Sequence, residues 1–321
     1  SSDLFGMALL LVGCSDYDLH LKEDVNADQD TAVAEPLPDT ATPGDTSVPE
    51  EPENEAGAPV AVCDVSPNPV TPPFESAAWD GSESYDGSYE DLDGDGLDDG
   101  IASYYWELSD SPEGSSAALS SPNQAIVTGF TPELAGSYTA RLTVTNQAGM
   151  SDTCESVLDA IPAENLWVEM FWEHSGDDMD LHLIAPGKDW QTYKEDLGAP
   201  FGSCNGSSCD CYYATCNTAW GNTPPDWGQI GSAADDPVLD LDDIPGSGPE
   251  NINVLSPETS GTYTVVVHDY PGSQYAGGNN VTINIYLNGV LAWSDTREIS
   301  GEDSYTPFAM IDWAAGAVIP M

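Results

Sequence analysis

The sequence predicts an all-β protein in which two β-sandwich domains follow a disordered N-terminal tether. Short segments of alternating hydrophobicity are separated by turn residues, as in antiparallel sandwiches. The clearest alternation is at 138–145. Tyr138, Ala140, Leu142 and Val144 share one face of the predicted strand. Alternation of apolar and polar residues with a period of two indicates a strand with one buried face. The predicted second domain shows no convincing helix.

Composition and charge limit the partners of this chain. Its 321 residues allow about two domains. Five Lys and Arg oppose 56 Asp and Glu, which gives a formal net charge of -51. Nucleic acid binding needs cationic side chains, so no nucleic acid partner is expected. Such a surface attracts divalent cations, although the same charge would also serve simple solubility.

The N-terminus carries an export pattern. Residues 4–12, LFGMALLLV, form an apolar run that is too short to span a bilayer. Such a run before small residues is typical of a signal peptide, expected here at 1–14. LVGC at 11–14 resembles the bacterial lipobox, which implies that Cys14 is lipidated and joins the chain to a membrane. Ser15 after the cysteine fits an outer-membrane, cell-surface lipoprotein. The alternative is a chance apolar N-terminus with a buried cysteine.

Residues 15–57 predict a tether. They contain thirteen acidic residues, one lysine and five prolines, with no apolar periodicity. A segment of this kind cannot bury enough apolar surface to fold and repels itself. We therefore expect a disordered acidic linker between the anchor and the folded domains.

The first folded domain is predicted at 58–160. Its segments WDGSESYD at 79–86, YYWEL at 104–108 and GSYTARLTVTNQAG at 136–149 resemble a PKD (polycystic kidney disease) domain. The segment after Trp106 departs from the usual family pattern, so the resemblance is to a divergent, PKD-like member. It implies an extracellular spacer or binding module with an Ig-like sandwich and no catalysis.

The cysteines predict three disulfides. Cys63 and Cys154 lie near the first and last strands of the first domain, so a bridge between them would staple the sandwich. Four more occur in an insertion of the second domain: Cys204, Cys209, Cys211 and Cys216. Three pairings are open, of which 209–211 is least favoured because its ring is strained. A zinc knuckle is the alternative.

An acidic loop at 91–99 predicts a calcium site. Asp91, Asp93, Asp95 and Asp99 stand at positions 1, 3, 5 and 9, with Gly96 at position 6. This is the oxygen-ligand spacing of a calcium loop. The glutamate of an EF-hand is missing at position 12, and the loop resembles the DxDxDG loops of thrombospondin-type repeats. The alternative is a solvated acidic turn.

The second folded domain is predicted at 161–321 as a jelly-roll-like sandwich. Asn288-Gly289 between two apolar runs indicates a hairpin turn. FWEHSGDDMDLHLIAP at 171–186, LDLDDIPGSGPENINV at 239–254 and GTYTVVVHDY at 261–270 resemble the YfaP-like family. The resemblance implies a surface lipoprotein of the myxobacterial type, but it names no activity.

These motifs concentrate oxygen ligands. The candidates for a metal, calcium being the expected cofactor, are Asp178, Asp180, Asp240, Asp242 and Glu250. With His182 or His174 the acids could instead hold a transition metal or form an acid–base pair, which makes a metal-dependent hydrolase the alternative function. Purely structural hydrogen bonding is a third possibility. Nucleophile, phosphate-binding and zinc-protease signatures are missing from the sequence, so a noncatalytic protein is expected.

The cysteine-rich insertion also holds the candidate ligand-binding residues: Trp190, Tyr212, Tyr213, Trp220 and Trp227. Exposed aromatic rings on a stiffened loop suit recognition of an extracellular protein or glycan. The same rings could equally pack against the sandwich as a lid. The expected function is therefore a noncatalytic, calcium-stabilised cell-surface binding protein, with a purely structural envelope spacer as a further alternative.

Overall fold

Antiparallel β-strands form nearly all of the structure, a computed structural model that describes residues 58–86, 100–193, 206–244 and 246–321. This confirms the all-β class. Several predicted features lie outside the described residues: the lipidation site at Cys14, the tether, the acidic loop with Asp91, Asp93, Asp95 and Asp99, and Cys204. Within the described part of the chain, none of the helices has the length and apolarity needed to cross a membrane.

The first sandwich comprises residues up to Ala160. Its strands are β1 (Pro59–Val60), β2 (Asp64–Ser66), β3 (Ala77–Asp80), β4 (Tyr85–Asp86), β5 (Ile101–Asp110), β6 (Ile126–Phe130), β7 (Gly136–Asn146) and β8 (Ser151–Ala160). Two three-stranded sheets, β2-β3-β6 and β5-β7-β8, enclose one hydrophobic core, and β1 pairs with β4.

Strand β7 shows why this sequence folds as a sandwich. Tyr138, Ala140, Leu142 and Val144 are fully buried, as the alternation predicts, while Arg141 on the other face is exposed. Each large apolar side chain so buried contributes about 1.5–3 kcal/mol. The predicted disulfide is confirmed: Cys63 and Cys154 are bonded, with their Cα atoms 6.1 Å apart.

The second sandwich has two five-stranded sheets. One has the order β11-β10-β14-β17-β18 and the other β12-β13-β9-β15-β16. The elements are β9 (Leu166–Trp172), β10 (Met179–Ile184), α1 (Trp190–Tyr193), β11 (Asp210–Cys211), α2 (Tyr213–Cys216), a 3₁₀ turn (Thr218–Trp220), β12 (Val238–Leu241), β13 (Glu250–Val254), β14 (Tyr263–Asp269), β15 (Asn279–Leu287), β16 (Val290–Ile299), β17 (Tyr305–Asp312) and β18 (Ala317–Pro320). The predicted turn joins β15 to β16, with φ of 53° at Asn288 and 75° at Gly289.

Strand β10 is buried on both faces. Met179, Leu181 and Leu183 point into the core between the two sheets. Asp180 and His182 point to the opposite face, yet they are only 2% and 1% exposed. The cysteine-rich insertion covers this face, since β11 pairs with the end of β10 and Tyr212 stacks on His182. Charged side chains are thereby enclosed on a rigid strand.

The two sandwiches touch through a small buried contact. The backbone N–H of Ala135 donates to Oε1 of Glu169 over 2.7 Å, and the Tyr286 hydroxyl donates to the Ala135 carbonyl over 3.3 Å. Ala135, Trp167 and Tyr286 form an apolar cluster there. Both sandwiches belong to one compact unit, residues 52–321.

Candidate metal centre

The centre lies where β13 begins beside the open edge of β10. Strand β11 pairs only with Leu183 and Ile184, so it does not reach Leu181. Instead, the backbone N–H of Leu181 donates to Oε2 of Glu250 over 2.8 Å. Glu250 is the first residue of β13 and is fully buried. The strand ends thus direct a carboxylate from one sheet toward the edge of the other.

Acidic side chains converge at this position. One carboxylate oxygen each of Asp180, Asp242 and Glu250 lies within 4.8 Å of the other two. Asp178 adjoins them and is repelled electrostatically by both aspartates. Three buried oxygens accept no hydrogen bond: Oδ1 of Asp178, Oδ1 of Asp242 and Oε1 of Glu250. Buried polar atoms nearly always have a partner, so three orphans in one cluster need a physical reason.

Burial and mutual repulsion raise the pKa values of three of these acids: Asp178, Asp242 and Glu250. Desolvation is the largest cause at Glu250, followed by the charges of Asp180 and Asp242, and it holds the Glu250 pKa well above its usual value. Desolvation and then Asp180 raise the pKa of Asp178 to about 7. The pKa of Asp242 is raised for the same two reasons. Burial and repulsion therefore favour the protonated forms of Asp178, Asp242 and Glu250, and a bound cation would favour their ionised forms.

Neighbouring polar groups fix the outer acids. The Asn217 side-chain amide, from the cysteine-rich insertion, donates to Oδ2 of Asp242 over 3.1 Å. The Tyr270 backbone N–H donates to the Asp178 carbonyl over 2.8 Å. The first bond holds the Asp242 carboxylate by one oxygen and leaves the other free, as expected of a pre-organised ligand. The second bond fixes only the backbone of Asp178.

Two histidines adjoin the acids. Nδ1 of His182 lies 3.0 Å from Oδ2 of Asp210, while its Nε2 is buried without a hydrogen-bond partner. Although burial disfavours the charged ring, the charge of Asp210 raises the His182 pKa above its usual value. His268 places Nδ1 3.2 Å from Asp180 and Nε2 3.3 Å from Asp303.

The structure brings together most of the predicted ligands but not all. Asp178, Asp180, Asp242 and Glu250 belong to the centre. Asp240 does not: it accepts hydrogen bonds from the side-chain amides of Asn251 and Asn253. Its pKa is raised to about 6, first by burial. His174 is also separate, because it is exposed and packs against Tyr275 with ring centroids 4.8 Å apart.

Two residues of the site were missed in the sequence. His268 lies in GTYTVVVHDY, where its position in the chain gives no sign of Asp180, its partner across β10 and β14. Asp177 is 1% exposed and accepts from the side chains of Asn279 (2.9 Å) and Ser273 (3.0 Å). The acidic turn before β10 is a sequence signal that could have indicated Asp177. His268 could be found only from the register of β10 against β14.

The aromatic candidates divide into buried and exposed ones. Trp190, Tyr212 and Trp227 are 9%, 2% and 1% exposed, so the structure contradicts their assignment as ligand-binding residues. They cover the sandwich as a lid does. Trp227, for instance, packs in the main core and its Nε1 donates to the Ser208 carbonyl over 2.8 Å.

An exposed aromatic patch remains beside the centre, formed by Trp220 and Tyr270 together with the half-buried Tyr213. The ring centroids of Tyr213 lie 6.0 Å from those of both Trp220 and Tyr270, in edge-to-face geometry. Trp220 is 58% and Tyr270 39% exposed. Tyr270 was not predicted, since it follows β14 rather than belonging to the insertion.

The insertion is closed by disulfides. Cys211 and Cys216 are bonded, with Cα atoms 5.4 Å apart, and Cys209 is also disulfide-bonded. Metal ligation needs free thiolates, so the zinc-knuckle alternative is wrong for these three cysteines. The disfavoured 209–211 bridge does not form, because Cys211 pairs with Cys216.

Comparison with known proteins supports part of this description. Residues 88–157 match the PKD domain family, which confirms the predicted PKD-like region. The solved PKD domain from the KIAA 1837 protein is 25% identical, with a TM-score of 0.24, and the match covers 33% of this chain and 88% of that one. A structure from work on the promiscuous specificity of carbohydrate-binding modules of the β-sandwich superfamily is 15% identical, with a TM-score of 0.24 and coverage of 79% and 100%. No curated protein matches the chain.

Proposed function

We propose that the chain is a noncatalytic cell-surface binding protein whose second sandwich is completed by calcium. Asp178, Asp180, Asp242 and Glu250 would hold the ion. The observation that carries this proposal is Oε1 of Glu250, a fully buried carboxylate oxygen without a hydrogen-bond partner that faces two further carboxylates.

The enclosure of these acids supports a bound cation. Removing an ionised carboxylate from water costs several kcal/mol unless an opposite charge compensates it. The ion pairs of the described arginines are made elsewhere: Arg141 with Glu107 and Glu155, and Arg297 with Asp295. A divalent ion would neutralise the cluster and occupy all three orphan oxygens.

Calcium fits the chemistry of the ligands. Four carboxylates and no sulfur form the cluster, and calcium takes oxygen ligands at about 2.3–2.6 Å with a flexible geometry. The acids come from a loop before β10, from β10 itself, from the end of β12 and from the start of β13. An ion there would tie the two sheets together at one edge and stabilise the fold.

The exposed aromatic patch fits a glycan better than a protein. Tyr213, Trp220 and Tyr270 offer rigid apolar faces with polar tips. A stable protein interface buries about 800 Å² on each partner, far more than three rings supply. A neutral sugar is the better match, because the acidic surface repels anionic ligands.

Export and anchoring are proposed for the same chain. The Cys63–Cys154 and Cys211–Cys216 disulfides support an oxidising, extracytoplasmic environment. Together with the lipobox-like LVGC at 11–14, they support a lipid anchor at Cys14 and a position on the outer membrane.

The calcium proposal is tested with Glu250→Gln. Purified protein is stripped with a chelator, and calcium binding is measured by calorimetry together with the melting temperature. Wild type is expected to bind calcium at the centre and to melt at higher temperature when calcium is added. Glu250→Gln should lose the part of this response that comes from the centre. It should also melt higher than wild type without calcium, because the cost of protonating or enclosing this carboxylate is removed.

Asp240→Asn is the matched control. Asp240 shares the acidic motif with Asp242 but lies outside the cluster, so this variant should keep the calcium response. If Glu250→Gln binds calcium and is stabilised by it as wild type is, the proposed ion site is refuted.

A metal-dependent hydrolase is the second candidate, favoured by the proximity of Asp180, His182 and His268. Stacked tyrosines speak against it, because Tyr212 covers His182 and Tyr305 covers His268. Turnover of glycoside or ester substrates that is lost in Asp180→Asn would support the hydrolase instead.

A further inference from the structure

We infer that Asp180, His182 and His268 form a second metal site, one that takes a transition metal such as zinc. This site shares Asp180 with the carboxylate cluster but uses ring nitrogens for its other ligands. It does not depend on calcium binding at Glu250, and one site could be present without the other.

The sheet fixes the three side chains in register. Asp180 and His182 are two residues apart on β10 and therefore lie on the same face. Asp180 and His268 face each other directly across β10 and β14. One ligand atom from each of the three residues lies within 4.8 Å of the other two. Positions on adjacent strands hold ligands more precisely than loops do.

The spacing suits a small ion. Ligands at about 2.0–2.1 Å from zinc lie about 3.3 Å apart in a tetrahedron. Oδ2 of Asp180 and Nδ1 of His268 are 3.2 Å apart. The two atoms are hydrogen-bonded to each other, and a zinc ion that replaced the shared proton would find them at the separation of two zinc ligands.

Each histidine has a carboxylate behind it. Asp210 lies 3.0 Å from Nδ1 of His182, and Asp303 lies 3.3 Å from Nε2 of His268. Metal-binding histidines usually donate their second ring N–H to a carboxylate, which fixes the tautomer and presents the other nitrogen to the metal. Here the remaining nitrogens are Nε2 of His182 and Nδ1 of His268.

The free nitrogen of His182 is the independent sign of a ligand. His182 is 1% exposed, and its Nε2 makes no hydrogen bond. A buried polar atom without a partner costs about 1–3 kcal/mol. A metal ion at that nitrogen removes this cost.

Stacking holds both rings in place. Tyr212 lies on His182 with an interplanar angle of 12° and centroids 4.9 Å apart. Tyr305 lies on His268 at 3° and 4.0 Å. These contacts enclose the site, so we assign it a structural role rather than a catalytic one.

The metal classes differ between the two sites because the ligands differ. Imidazole nitrogen suits zinc, copper and nickel, whereas a set of carboxylates suits calcium. Asp180 has two oxygens and could serve both sites, so Asp180→Asn should weaken both. Substitutions at His182 should weaken only the zinc site, and substitutions at Glu250 should weaken only the calcium site.

The test uses the full chain, stripped of metal, with zinc titrated by calorimetry and cobalt followed by its visible absorption. Wild type is expected to bind zinc and to give a cobalt spectrum of nitrogen and oxygen ligation. His182→Gln should lose at least 10-fold in zinc affinity together with the cobalt bands, while its calcium response stays as in wild type. Glu250→Gln should show the reverse.

His174→Gln is the matched control, because His174 is exposed and outside the site. Asp210→Asn tests the positioning role and should weaken zinc binding about 10- to 100-fold. Zinc affinity and cobalt bands that survive in His182→Gln, or that fall equally in His174→Gln, would overturn the proposal.

If His182→Gln does not fold, nitrogen NMR of wild-type histidines decides the question. The chain has four histidines. Zinc should shift the ring signals of His182 and His268 and leave that of His174, identified through His174→Gln, in place. Shifts at His174 alone, or no shifts, would contradict the site.

Discussion

The two sandwiches differ in what they bury. Within the described residues of the first, the buried polar side chains are Ser84, Asp86 and Asn146. The second encloses acids and histidines on several strands, among them Glu169, Asp180, His182, Glu250 and His268. A charge buried in a protein must be paired, neutralised or bound to a metal. The chemistry of the described chain is therefore concentrated in the second sandwich.

The difference comes from the segments that cover the sheets of the second sandwich, and not from the sheets themselves. Strand β7 of the first sandwich alternates between buried and exposed residues, whereas β9, β10, β13 and β14 of the second are buried throughout. The cysteine-rich insertion covers β10, and the contact with Ala135 covers part of β9. These covering segments enclose sheet faces that would otherwise be exposed to solvent.

The largest effect on stability is expected when the disulfide of the first sandwich is removed and the proposed calcium site of the second is left intact. Replacing Cys63 and Cys154 together by serine opens a link across 91 residues, and should lower the free energy of unfolding by about 4 kcal/mol. Urea denaturation measures this loss. Calcium should still raise the stability of the variant by the wild-type amount. A variant that no longer responds to calcium would show that the sandwiches are not separable in this way.

The second prediction concerns pH and the contact between the sandwiches. Burial is the main cause that raises the pKa of Glu169 to about 7 from its usual 4.5. Between these values the unfolded chain releases the proton while the folded chain keeps it, so stability falls as pH rises. Glu169→Gln removes this loss and should gain about 3 kcal/mol at pH 8 relative to wild type, with little difference at pH 4.

Glu155→Gln is the control for this experiment. Glu155 is exposed and paired with Arg141, and such pairs contribute about 0–1 kcal/mol. The pH dependence of this variant should follow wild type in melting experiments from pH 4 to 8. Equal behaviour of the two variants would rule out a special role of Glu169.

The smallest effect on stability is expected at the aromatic patch. Trp220→Ala should change the free energy of unfolding by less than about 0.5 kcal/mol, because the side chain is 58% exposed. Binding to a glycan array should nevertheless fall at least 10-fold. Phe74→Ala, at a 60% exposed ring of the first sandwich, should leave binding unchanged. Loss of binding in both variants would mean nonspecific adhesion.

Local patterns predicted much of the fold. The alternation at 138–145 predicted the buried face of β7, and Asn288-Gly289 predicted the β15–β16 turn. Both features depend on residues that are close together in the sequence, so a local pattern is enough to predict them. The disulfide of Cys63 and Cys154 followed from the positions of the outer strands.

The site was predictable only in part. The dense acidic motifs indicate Asp178, Asp180, Asp242 and Glu250, which the structure brings close together. They also indicate Asp240, which lies outside this cluster. The register of β12 against β13 shifts between Leu239 and Leu241, and an irregularity of this kind redirects the residue it contains. His268 depends on the register of two strands distant in sequence.

Burial of the aromatic residues was also not readable from the sequence. Trp190, Tyr212 and Trp227 belong to the same insertion as the exposed Trp220. The path of the insertion over the sandwich determines which of these rings are buried. The insertion has no hydrophobic periodicity from which that path could be predicted.

Hydrogen exchange of the full chain, followed peptide by peptide before and after calcium is added to chelated protein, tests the central claim most directly. A calcium site in the second sandwich predicts stronger protection of Met179–Ile184 and Glu250–Val254 in wild type, and no such gain in Glu250→Gln. Protection that does not rise in these two strands, or that rises equally in Glu250→Gln, would contradict a cation site in the second sandwich.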